Sequence, residues 1–72
     1  MRKVYQIENG NRRATIVRNS EWNEFIVRFY VNGIHLTKAD YHHSFNEYDR
    51  ASVIDAKLDC ISTANNWVIK GD

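Results

Sequence analysis

The apolar positions of this chain change their period about half-way along. From Glu24 to Val31 they alternate: Phe25, Val27, Phe29 and Val31 fall on one side, Glu24, Ile26, Arg28 and Tyr30 on the other, the pattern of a strand with unlike faces. Asn32-Gly33 follows, a pair that accepts positive φ and predicts a two-residue hairpin turn. That turn sets Val31 opposite Ile34 and Phe29 opposite Leu36, so a returning strand is expected over Ile34–Tyr41. Upstream, Lys3–Glu8 carries Tyr5 and Ile7 on one side. Arg13–Arg18 alternates Ala14 and Ile16 with Thr15 and Val17. Asn9-Gly10 suits the reversal between these two strands, and the polar stretch Asn19–Asn23, interrupted by Trp22, joins the second strand to the third.

After Ser44 the spacing becomes helical. Ser44-Phe45-Asn46-Glu47 has capping-box spacing, in which a hydroxyl and a carboxylate satisfy orphan helix N–H groups. Ala51, Ile54, Leu58 and Ile61 then recur at helical intervals, flanked by Val53, Ala56, Cys60 and Ala64, with Asp55, Lys57, Asp59 and Ser62 on the exposed side. Asn65-Asn66 is read as the stop and Trp67-Val68-Ile69 as an apolar tail folding back onto the helix end or the sheet edge. The expected fold is α+β, a single domain over residues 1–72. A four-stranded antiparallel sheet (β-β-β-β-α) has one C-terminal helix packed on one face.

The 72-residue length leaves room for one small core and none for a deep cleft. The single cysteine, Cys60, has no internal partner, which points to a reducing compartment. Without a long apolar run there is no membrane span or secretion signal to expect, and the expected location is the cytoplasm. Charge is unevenly spread: residues 1–36 sum to +3 and residues 37–72 to −2, a basic sheet half and an acidic helix half.

Few residues suggest chemistry. His35, Asp40, His42, His43 and Cys60 form the one cluster that could suggest a metal. Adjacent histidines on an extended segment point to opposite faces, however, and Cys60 sits among apolar helix positions, so no metal is expected. Late in a helix, Cys60 faces a dipole that opposes its thiolate, which argues against a nucleophile. Asp55 and Asp59 read as a solvated helix face. Phosphate-loop and nucleophile-elbow motifs are absent. The expectation is a non-enzymatic chain without a cofactor.

One helix covers one face of a sheet, so the other face is expected to meet solvent or a partner. If Phe25, Val27 and Phe29 face the helix, Ile26, Arg28, Tyr30 and His35 face outward, with Trp22 nearby. These five residues form the candidate partner-binding set, because tryptophan, tyrosine and arginine are the types enriched in binding hot spots. Trp22 itself is either a lid packed on the core or an exposed anchor. An alternative is nucleic-acid binding through Lys3, Arg12, Arg13, Arg18, Arg28 and Tyr30, cations meeting phosphates and the ring stacking on bases. Exposed edge strands also allow self-association as a homodimer.

The stretch from Phe25 to Leu58 resembles small accessory proteins of tailed bacteriophages. It shares with them an Asn-Gly hairpin, the strand end Ala39-Asp40-Tyr41, and a short capped helix containing Asp55-Ala56. The strand–strand–strand–helix order is also similar in architecture to HicB-type antitoxin domains. Neither likeness assigns functional residues. The first implies a phage-encoded protein, acting in the host cytoplasm, that binds and modulates or inhibits a host protein.

Overall fold

Two conformational demands organise the sheet. At the hairpin Asn32 and Gly33 both take positive φ (53° and 80°), the geometry that matches a tight turn to strand twist. At the first turn, Gly10 (φ 62°) begins the Gly10-Asn11 reversal that sets Asn9 opposite Arg12. In the computed structural model, which describes residues 1–71, β1 (Arg2–Asn9), β2 (Arg12–Asn19) and β3 (Glu24–Val31) form an antiparallel sheet, the first turn joining β1 to β2 and Asn32-Gly33 returning the chain from β3. Asp72, counted above with the acidic half, lies outside the described residues.

The fourth strand departs from expectation. Val31–Ile34 and Tyr30–His35 pair as the turn length requires, forming β4 (Ile34–His35). The Leu36 N–H still reaches the Phe29 carbonyl at 2.8 Å. The chain then leaves the sheet in a single 3₁₀ turn, Thr37–Ala39, and re-enters as β5 (Tyr41–Ser44), pairing with Glu24–Val27 of the same strand β3. Tyr30 pairs with His35 but Val27 with Tyr41, so three extra residues are accommodated within one edge. The insertion reverses which side alternate residues take. His43 thereby joins Phe25 on the helix side and His42 joins Ile26 on the other.

The helix also differs from the expected one. Ser44 ends β5, and the helix α1 (Arg50–Lys70) is capped by Asp49, whose side chain accepts from the N–H groups of Ala51 and Ser52. Asn65 and Asn66 do not stop it. Trp67-Val68-Ile69 continues the helix, which ends at Gly71 in the left-handed region (φ 80°), the Gly71 N–H bonding the Trp67 carbonyl. The stripe facing the sheet is Ala56, Cys60, Ala64 and Val68, all buried, rather than Ala51, Ile54, Leu58 and Ile61. Small side chains at i+4 intervals let the helix approach a sheet face that carries Phe25 and Phe29. Phe45 closes one end of this core at 5.1 Å from Phe25, and Trp67 the other at 4.9 Å from Phe29. Two arginines of β2 seal the same ends. Arg12 lies over the Trp67 ring and donates to the Trp67 carbonyl (2.9 Å), and Arg18 lies over Phe45. No helix among the described residues is long and apolar enough to cross a membrane.

Candidate interaction surfaces

The outward face of the sheet is built in rows set by strand register. One row runs Glu8, Arg13, Tyr30, His35 across β1 to β4. The Arg13 guanidinium carbon stands 4.2 Å from the centre of the Tyr30 ring, and His35 stacks on that ring at 4.9 Å. Because β2 and β4 flank β3, the two neighbours occupy opposite faces of the tyrosine. Asp40, delivered by the loop after the 3₁₀ turn, holds the His35 ring through Nε2 at 2.8 Å. The row is a ladder of stacked planar groups held at the His35 end by Asp40.

A second row places Lys3, Val17, Ile26 and His42 side by side. Ile26 points away from the helix as expected, yet only 4% of it is exposed, and Val17 is 6% exposed. Polar side chains on the same face account for this. Arg28 stretches to the Met1 sulfur (3.1 Å), and Glu24 receives bonds from His42 (3.0 Å) and Asn19 (3.3 Å). The stems of such side chains shelter apolar neighbours while their heads stay wet. The expected mixed outer face is therefore closed at its apolar positions, Val17 and Ile26, while Arg28, Tyr30 and His35 stay part-exposed. The Nε atoms of Arg13 and Arg28 are covered without an acceptor among the described residues, a cost consistent with guanidiniums laid flat on the sheet.

Trp22 lies outside this packing. It is 75% exposed on the β2–β3 turn, which leaves the lid without support. The turn is held by its neighbours: buried Asn19 accepts from the Glu21 N–H (3.2 Å), Asn23 adopts φ 49°, and the Asn23 carbonyl accepts from the Phe45 N–H (2.9 Å). Beside the turn, Met1, Arg2, Arg18, Asn19, Ser20 and Glu21 line an open groove, and Met1 is itself 75% exposed.

The six residues considered for nucleic acid do not share a surface. Lys3, Arg13, Arg28 and Tyr30 face outward, whereas Arg12 and Arg18 face the helix side, where they stack on Trp67 and Phe45. Tyr30 keeps no free ring face for a base.

One cluster could not be anticipated without the register. Asp59, read as solvated, accepts from the Tyr41 hydroxyl at 2.6 Å and contacts His43 Nδ1 at 2.7 Å. These bonds hold the Asp59 carboxyl below its ordinary range and push the Tyr41 phenol up. The cluster ties α1 to β5. The neighbouring Cys60 is fully buried, and burial raises its thiol to about 11. Each of the three histidines faces a carboxylate, His35 with Asp40, His42 with Glu24 and His43 with Asp59. Among the described residues no group of three ligand-type side chains converges on a metal position. No protein-family model, curated protein or solved structure matches the chain.

Proposed function

We propose that this chain is a small non-enzymatic binding protein that engages another protein through Trp22. The observation that carries this reading is the exposure of a tryptophan on a turn whose backbone is fixed by its own side-chain bonds. Displaying an indole adds little to folding, and a rigid aromatic anchor loses little entropy on binding, the usual basis of a hot spot. Met1, also exposed, lines the groove beside the turn. Arg2 and Arg18 border it, so the fitting partner offers an apolar pocket with an acidic rim. From the earlier set, Arg28, Tyr30 and His35 serve as a rigid frame, and Ile26 supports it from beneath.

The likeness of Phe25–Leu58 to accessory proteins of tailed phages suggests the source and the partner: a phage-encoded protein that occupies, and thereby modulates or inhibits, a bacterial host protein in the cytoplasm. Nucleic-acid binding is the weaker alternative, because the basic residues divide between two faces.

The test compares wild type with Trp22→Ala as baits in bacterial lysate. The expected result is a stoichiometric protein retained by wild type and lost by the variant. The change should weaken binding by about 2 kcal/mol or more, while stability shifts by no more than about 0.5 kcal/mol. Absence of any stoichiometric partner, or equal retention by both baits, overturns the proposal.

A further inference from the structure

We propose that the free edge of β1, together with the adjoining flank of α1, joins two copies of this chain across a two-fold axis. Among the described residues β1 pairs only with β2, so along eight residues its other edge presents unpaired N–H and C=O groups, a template for a further strand. The helix flank beside it carries an apolar stripe, with Lys57 and Asn65 along it. The Tyr5 hydroxyl donates to Asn65 (3.1 Å), which fixes that side of α1 toward β1, while Asp59 on the other side reaches β5. Ile54, Leu58 and Ile61 share the Asn65 side, at spacings of four, three and four residues along the helix. Ile54 is 48% and Leu58 58% exposed, and Val4, Tyr5, Ile7 and Ile61 are half-buried against the core. Edge and flank together make one strip.

The charge order of β1 identifies the occupant. Arg2 and Lys3 stand at its start and Glu8 near its end. An antiparallel copy reverses that order, whereas a parallel copy sets lysine against lysine. Pairing centred on Gln6 places Tyr5 opposite the second copy's Ile7, and the bulge at Val4 brings Lys3 toward the second copy's Glu8. Each contact occurs twice. The same operation brings the two Ile54–Leu58 flanks together on one side of the joined sheet, and isologous closure prevents further growth. A standard interface buries about 600–1,000 Å² per copy, against a total surface of 4793 Å² here. A strip about 26 Å long, carrying both a strand edge and a helix flank, is of the right order. The proposal does not rest on Trp22, and its test reads Leu58 and Gln6 instead.

Sedimentation equilibrium over a dilution series tests it on wild type, Leu58→Glu and Gln6→Cys. Wild type is expected to be a dimer at high micromolar concentration and to dissociate on dilution. Leu58→Glu should weaken the dimer at least about tenfold with an unchanged circular dichroism spectrum. Gln6→Cys, at the two-fold axis, should form an inter-chain disulfide on oxidation, because paired strands meet the required separation, and Ser62→Cys should not. A wild type that stays monomeric at high micromolar concentration overturns the proposal. So does a dimer that survives Leu58→Glu and gives no Gln6→Cys cross-link.

Discussion

At the scale of single residues, context rather than type sets behaviour. Asp59 and Asp55 are one helical turn apart, but only Asp59 meets Tyr41 and His43. Its folded pKa is depressed, so its contribution to stability is present above the unfolded value near 4 and fades as pH falls through the folded value. Asp59→Asn should cost about 1 kcal/mol at neutral pH, since exposed charged hydrogen bonds are screened. Acid titration of unfolding should show the wild-type advantage shrinking below about pH 4, whereas Asp55→Asn should give no such difference. Tyr41 acts in the opposite sense. Its raised pKa keeps its contribution intact below about pH 10, to be lost as the phenol ionises. Cys60, buried with its thiol pushed up to about 11, should resist alkylation in the native protein at neutral pH and react only as the chain unfolds. Rapid labelling of folded protein would contradict its placement.

At the scale of elements, the helix start offers a sharp discrimination. Capping-box spacing at Ser44–Glu47 and the Asp49 carboxylate compete in the sequence, and in the fold Asp49 caps. Asp49→Ala should therefore cost about 1 kcal/mol in chemical denaturation, whereas Ser44→Ala and Glu47→Ala should each stay within about 0.5 kcal/mol. Equal losses at Ser44 and Asp49 would return the helix start to the earlier position. Ser44 is unavailable because β3 takes its backbone: the pairing of Glu24 with Ser44 extends the sheet to the last residue before Phe45, which then turns into the core.

At the scale of the whole molecule, small size makes association and stability one question. A core closed by Phe45 and Trp67 and stitched by Tyr5–Asn65 and Asp59–Tyr41 is modest, and burial of the β1–α1 strip would add to it. The dimer proposed above therefore carries a thermodynamic signature: the melting temperature of wild type should rise with protein concentration, and that of Leu58→Glu should not.

The sequence by itself determined the order of strands and helix, the Asn32-Gly33 hairpin with its Val31–Ile34 pair, and the division of β3 into two unlike faces, though not which of them the helix covers. These follow from local causes, namely turn residues that require positive φ and an alternation that admits one register. It also placed His42 and His43 on opposite faces and Cys60 in the core. The tertiary structure decided the rest. Two apolar helix stripes compete, and only packing against Phe25 and Phe29 selects the one of small side chains, Ala56–Cys60–Ala64–Val68. A three-residue insertion at Thr37–Ala39 is invisible to periodicity but redirects every side chain beyond it, which is how Tyr41 and His43 come to Asp59. The sealing of Ile26 depends on side chains brought from elsewhere in the chain, Met1 and His42 among them, because burial is a property of neighbours in space.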